Sequence, residues 1–177
     1  TLELDDGVVT DGHRHPIVDL RWLKPESPEF YTALPHIKDA MGLYLAPSHL
    51  CHPKVQQMLS ARTVRPLFLY LSKMDARSGE CLSKYRQVPL YLQLPPSAKE
   101  SWIHRLKGLV LKGLFLNDAK IGNAGVAEVA SLTTLETLSL NNTSIKGDGL
   151  EKLGSLRALR ELYLRGVSIA DADCAHL

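Results

Sequence analysis

Side chains able to hold a metal or move a proton are few in this chain, and their spacing argues against both tasks. His13 and His15 flank one arginine, and His49, Cys51 and His52 fall in the single stretch HLCH. A structural zinc site needs paired ligand sets that converge. Neither group has a second set, so these read as surface or partly buried histidines. The acids are scattered as well. Asp5, Asp6 and Asp11 lie in a turn-rich start, and Asp171 and Asp173 in a turn-like end, which suits solvated turns better than a general acid and base facing one substrate. No glycine loop for phosphate, serine elbow or paired-histidine helix motif occurs. Catalysis is not expected, and no cofactor or metal is implied. Cys51, Cys81 and Cys174 are an odd number without clustered spacing, as expected in a reducing, intracellular compartment. NNTS, from Asn141, holds two overlapping glycosylation sequons; these read as an accident of a polar strand end, since sequons matter only on a secreted chain.

The elements that position all other candidate residues are repeats. The doublet leucine–any–leucine returns at Leu20/Trp22, Leu43/Leu45, Leu67/Leu69, Leu90/Leu92, Leu114/Leu116, Leu138/Leu140 and Leu162/Leu164, in steps of 23 or 24 residues, with Trp22 replacing one leucine. So short a period leaves no room for an independent domain between rungs, and signals a stacked array in which each unit covers its neighbour's apolar face. In the units that start at Leu111, Leu135 and Leu159, apolar residues occupy positions 1, 4, 6 and 11. Positions 4 and 6 share a parity, so on a strand both point into the core. Val126, Val129 and Leu132, then Leu150, Leu153 and Leu156, follow at a spacing near three, which suits a helical return. Gly149 fits the bend that enters it. Each unit reads as a strand, a turn and a short helix.

The seven doublets, with Ile121, Ile145 and Ile169 at position 11 of the last three units, resemble the leucine-rich repeat family over almost the whole chain. The resemblance implies an α/β fold, a leucine-rich repeat solenoid with a curved parallel sheet on the concave side and short helices and turns on the convex side. Residues 1–177 would then form a single array of about seven units plus a shortened first unit. TSIKGDGL and VVTDGH are similar to the cysteine-containing branch found in F-box adaptors. Position 9, where that branch places a buried cysteine, here holds Pro25, Ser48, Ser72, Pro95, Ala119, Thr143 and Val167.

The middle and the ends are less regular. Pro47, Pro53, Pro95 and Pro96 fall outside the strands, whereas Pro66 and Pro89 fall at unit position 3 and predict weaker ladder bonding there. KPESPEFYTALPHIKDA, from Lys24, is expected to replace helix with a loop or a 3₁₀ turn. Leu2 and Leu4 look like a doublet with Val9 five residues on, but Leu20 follows Leu2 by only 18 residues, so the first unit is expected to be short on its convex side. Repeat arrays need polar caps. Both ends stop in mid-pattern, with Leu177 at an inward position, so the array is expected to belong to a longer protein or larger assembly, its ends capped by further repeats or other chains.

Recognition is then the function to look for. Position 5, between the doublet leucines, faces the concave side, and holds Arg21, Tyr44, Phe68, Tyr91, Phe115, Ser139 and Tyr163. Adjacent strands lie roughly 4.8 Å apart, close enough for neighbouring rings to stack. Five rings each leaving roughly 100 Å² open would expose about 500 Å², near the largest apolar patch a monomer leaves bare. Tyr70, Gln93 and Asn117 flank this row on one side, and Arg165 lies at its end. The expected partner is a protein on the concave face, contacted by Arg21, Tyr44, Phe68, Tyr70, Tyr91, Phe115, Asn117, Tyr163 and Arg165. An open sheet lacks the enclosure that small ligands need. Rings that merely stack to stabilise the ladder are the plainer reading. Net charge is +2 from 21 basic and 19 acidic residues, so bulk electrostatics do not demand nucleic acid. Local basic tracts (Lys99, His104, Arg105, Lys107 and Lys112; Arg157, Arg160 and Arg165) leave RNA within a ribonucleoprotein assembly as the alternative partner. The F-box resemblance adds a substrate-recognition array of a ubiquitin ligase. No run of eighteen apolar residues exists, so no membrane span is expected.

Overall fold

The computed structural model describes residues 17–37, 40–61, 66–170 and 173. Leu2, Leu4, Val9, the VVTDGH segment, His13, His15 and the early acids lie outside the described residues, as do Asp171, Cys174 and Leu177.

Among the described residues, seven strands form one parallel sheet in chain order: β1 Ile17–Asp19, β2 Gly42–Leu45, β3 Leu67–Leu71, β4 Leu90–Gln93, β5 Leu111–Phe115, β6 Thr137–Ser139 and β7 Glu161–Tyr163. Each strand is too short to bury its own apolar residues, and the alternation puts one leucine row on a single side. In register, Leu43, Leu69, Leu92, Leu114, Leu138 and Leu162 stand side by side, and the first five are fully buried. The returns carry α1 Pro28–Ile37, α2 Pro47–Leu50, α3 Pro53–Ser60, α4 Ala76–Leu82, α5 Glu100–Ile103, α6 Asn123–Val129 and α7 Gly147–Leu153. Their inward residues, among them Leu82, Ile103, Val126, Val129, Leu150 and Leu153, close the core from the other side. The architecture is a leucine-rich repeat solenoid.

Neighbouring units also terminate one another's helices. The Glu100 carboxylate accepts from Gly122 N–H at 2.8 Å, and Asn123 Oδ1 accepts from Lys146 N–H at 2.9 Å. These bonds satisfy backbone donors at the starts of α6 and α7 that have no partner within the helix. After the strands the chain turns through left-handed residues at a fixed interval: Asp118 at φ 59°, Asn142 at φ 55° and Gly166 at φ 72°. Aspartate, asparagine and glycine tolerate that region best.

Register departs from the even spacing of the doublets. Leu43 pairs with Leu69 rather than Leu67, and Leu92 pairs with Leu114 rather than Leu116. Strands β3 and β4 therefore stand two residues out of the expected frame, and the two shifts cancel. The physical reason lies in LFLYL and LYLQL, which each carry three alternating leucines. Leu67, Leu69, Leu71, Leu90, Leu92 and Leu94 are all buried. A one-residue slip would turn every side chain to the wrong face, whereas a two-residue slip keeps each on its own.

The first unit is corrected in the same way. Val18 pairs with Leu43, and Leu20 donates to Tyr44 O at 3.0 Å, so Val18/Leu20 is the doublet. The Asp19 carboxylate accepts from Arg21 N–H at 3.0 Å, an Asx turn that ends the strand early. Trp22, expected inward, is consequently 82% exposed. Pro66 and Pro89 lie just ahead of β3 and β4, beside the strand core as their unit position implies, and pairing continues past them. Pro89 O accepts from Leu67 N–H at 2.9 Å, and β3 pairs with β2 and with β4 over four positions each.

The segment after Lys24, expected as a loop or a 3₁₀ turn, forms the ten-residue helix α1. Pro28 sits in its first turn, where an N–H has no partner anyway, and Ser27 Oγ accepts from Phe30 N–H at 3.2 Å. Phe30, Ala33 and Leu34 share one helical face and are buried. Pro35 falls in the last turns, where losing one bond costs least. The cysteines also differ from expectation. Cys51, just after α2, and Cys81, within α4, form a disulfide across 30 residues with Cα atoms 5.2 Å apart. Sequence spacing gives no sign of it, because the two meet only when consecutive units stack.

Candidate partner-binding face

On the helix-free face the shifted register divides the expected single row of rings into two. Tyr44 stands beside Tyr70 and Phe68 beside Tyr91. Both pairs stack with ring centroids 4.4 Å apart, at interplanar angles of 26° and 14°. Such pairs contribute about 0.5–1.5 kcal/mol beyond their burial. Between β4 and β5 a bulge adds Lys112, after which Tyr91 pairs with Gly113, and Gln93 with Phe115. The Tyr91 ring lies over the bare backbone of Gly113: a Cβ placed there would be 2.3 Å from Tyr91 Cδ1. Gln93 stands in register between Tyr70 and Phe115. Its side chain is exposed, whereas the five rings Tyr44, Phe68, Tyr70, Tyr91 and Phe115 are all half-buried. Together with Leu69 they enclose a hollow of about 210 Å³.

Arg21 closes one end of this arrangement. Its guanidinium carbon is 4.3 Å from the Tyr44 ring centroid, and Nη2 is 2.6 Å from Asp19 Oδ2. Burial works to raise the Asp19 carboxyl, but the hydrogen bonds and charge of Arg21 more than offset it and hold the group below the usual carboxylate range. Burial, followed by the neighbouring Tyr44, pushes the Tyr70 hydroxyl up. The Tyr91 hydroxyl is pushed up by burial, then by the carboxylates of Glu136 and Glu161. Both phenols are therefore neutral donors at ordinary pH.

The remaining expected contact residues stand apart. Asn117 Oδ1 accepts from Ser139 Oγ at 2.6 Å and from Asn141 N–H at 3.2 Å, so its carbonyl is committed to the turn. Asn141 Oδ1 in turn accepts from Arg165 N–H at 2.7 Å. Tyr163 is 48% exposed and is separated from Phe115 by the buried Ser139. Sequence reasoning missed Asp19, which takes position 5 of the first unit, and the central place of Gln93. The available signal was the third alternating leucine in β3 and β4, which leaves the frame open by two residues.

HLCH is absorbed by structure. His49 is 1% exposed; its Nδ1 accepts from Ala46 N–H at 3.3 Å, and Nε2 donates to Leu23 O at 2.8 Å. Burial lowers its pKa. His52 packs edge-on against Phe30, centroids 4.9 Å apart. No three histidine, cysteine or acidic side chains converge as a metal site among the described residues. In the first basic tract, His104 and Lys107, on the return side, both meet Glu128, at 3.3 and 2.9 Å. Arg105 donates to Ala76 O at 3.1 Å, and Lys112 pairs with Glu136.

Fold and face together define a leucine-rich repeat solenoid with an open aromatic patch. No family model matches the chain, and no curated protein matches it. Among solved structures it is similar to an internalin from Listeria monocytogenes, 17% identical with a TM-score of 0.45, over 81% of this chain and 48% of that one. The chain thus spans about half the length of the internalin structure. Among the described residues no helix is long and apolar enough to cross a membrane.

Proposed function

We propose that the chain is a non-catalytic protein–protein interaction scaffold whose partner docks on the concave aromatic face. Arg21, Tyr44, Phe68, Tyr70, Tyr91 and Phe115 form the contact, Gln93 marks its centre, and Asn117, Tyr163 and Arg165 lie at its margin. The observation that carries this reading is that five rings stand half-open around a hollow of about 210 Å³. Rings needed only to hold the sheet together could be fully covered. Aromatic residues concentrate binding energy in interface cores, and the hollow is smaller than the roughly 300–1,000 Å³ that small-molecule sites offer.

The ribonucleoprotein alternative has less behind it, because His104, Arg105 and Lys107 on the return side, and Lys112 on β5, are engaged with acids or a carbonyl. The disulfide bears on compartment. A Cys51–Cys81 bond persists in oxidising surroundings, which weighs against the intracellular location expected from cysteine count. A photo-crosslinking residue in place of Gln93, in the full-length protein within its native cells, tests the docking reading. A protein adduct lost on replacing Tyr44, Phe68, Tyr91 and Phe115 by Ala is expected. A nuclease-sensitive adduct, or none while the folded protein is intact by circular dichroism, sinks it.

A further inference from the structure

We propose that Asn142 carries an N-linked glycan. This rests on the Cys51–Cys81 bond, which persists in oxidising surroundings, and is independent of the docking face. Sequons matter on a chain that enters such a compartment, so those in NNTS are no longer an accident of a polar strand end. They overlap. Asn141-Asn142-Thr143 makes Asn141 an acceptor, and Asn142-Thr143-Ser144 makes Asn142 one. Asn117 and Asn123 are the chain's other asparagines, and neither begins a sequon.

The fold separates the two acceptors. Asn141 is half-buried, and its amide is used at both ends. Nδ2 donates to Ser139 Oγ at 3.2 Å, and Oδ1 accepts from Arg165 N–H at 2.7 Å. Ser139 is 3% exposed, so a sugar on that nitrogen would be rooted against a covered hydroxyl.

Asn142 is different. It is exposed, at φ 55° in the turn after β6. Its Nδ2 donates to Asp118 Oδ1 at 2.9 Å, and Asp118 is exposed too. That bond uses one of two amide hydrogens, and a glycosylated nitrogen keeps one, so linkage leaves a donor for Asp118. On the other side is Gly166, where a Cβ would be 2.2 Å from Asn142 Oδ1; glycine brings no side chain against the amide.

The third residue of each sequon points the same way. Thr143, which completes the first, is 8% exposed, and its hydroxyl donates to Leu140 O at 2.6 Å. Ser144, which completes the second, is exposed. Transfer to the unfolded chain meets both sequons, but the folded turn accommodates a glycan only on Asn142. The linkage is a substitution without change of oxidation state. Asn142 Nδ2 bonds to the anomeric carbon of an oligosaccharide carried on a lipid diphosphate. The bond from that carbon to the diphosphate oxygen breaks, the lipid diphosphate leaves with the electron pair, and Nδ2 gives up one proton. Rooted on the turn after β6, one strand beyond Phe115, the glycan borders the candidate docking patch.

The test uses the full-length protein from its native cells. An N-glycan amidase in heavy-oxygen water labels each asparagine that bore a glycan, and tandem mass spectrometry locates the label. Label at Asn142, with Asn141 unaltered, is expected. Ser144→Ala removes the Asn142 sequon and leaves the Asn141 sequon intact. Ser144 is exposed, so this variant should match the parent by circular dichroism, migrate as the deglycosylated parent and be unchanged by the amidase. Label at Asn141, or a glycan kept in Ser144→Ala, overturns the assignment. No glycan on either residue overturns it as well. In that case a urea midpoint that falls on adding reductant leaves the Cys51–Cys81 reading standing, and one indifferent to reductant removes both.

Discussion

Gly113→Ala separates the observed register from the evenly spaced one. In the structure Tyr91 lies across Gly113, so the new methyl would sit 2.3 Å from Cδ1, 2.9 Å from Cε1 and 3.2 Å from Cγ of that ring. Sliding away is blocked by Phe68, whose ring is stacked 4.4 Å off on the other side. The contact is with the root of the ring and not its tip, so Tyr91 must change χ1 and abandon the stack. That loses about 0.5–1.5 kcal/mol. Alanine in a strand interior recovers roughly 0.5–1 kcal/mol over glycine through lost chain entropy. The terms nearly cancel, so the urea midpoint should move by less than about 1 kcal/mol equivalent. Near-UV circular dichroism should change, and the nuclear Overhauser contact between the Tyr91 ring and Gly113 Hα, present in the unaltered protein, identifies the pair directly. A concave-face ligand should lose about tenfold in affinity as one wall of the hollow moves. If the near-UV spectrum is unaltered and the Overhauser contact runs from Tyr91 to Phe115 instead, the even register is the true one and the divided rows are wrong.

Two further perturbations address the return side. The Cys51–Cys81 bond closes a loop with a sequence separation of 30, and on loop-closure entropy its removal should cost about 3.5 kcal/mol. Reductant or Cys51→Ser should lower the urea midpoint to the same degree. A midpoint indifferent to reductant would show that the pair is not bonded. His49 has its pKa lowered by burial, so the unfolded chain binds the proton more readily. The stability linked to His49 is complete above its unfolded pKa, roughly 6.5, and is lost as pH falls from there through the folded value. Denaturation midpoints should therefore fall between neutral and mildly acidic pH. His49→Gln should flatten that slope, and an unchanged slope would show that another group carries it.

How much of this was legible in the sequence follows from which constraints are local. Alternation within LSL, LFL or LYL decides which side of a strand a residue takes, so the buried leucines and the open face of Tyr44, Phe68, Tyr91 and Phe115 could be read directly. The spacing of Val126, Val129 and Leu132 likewise announced a helical return. The doublet period identified a solenoid, because no unit of this length can bury its own leucines. Register is different. Three alternating leucines in β3 and again in β4 satisfy the core in either of two frames, and parity is blind to a two-residue slip. Only the packed sheet chose, through the Asx turn at Asp19, the bulge at Lys112 and the seat of Tyr91 on Gly113. The helix over Pro28–Ile37 was hidden by prolines that a first and a last turn can tolerate. The Cys51–Cys81 bond and the burial of His49 arise from residues far apart in the chain that become neighbours when units stack. The sequence by itself determined the face each side chain would take, a matter of neighbouring backbone geometry. Tertiary structure alone decided which residue of the next strand lies beside it, because a slip that preserves the buried face leaves the hydrophobic energy almost unchanged.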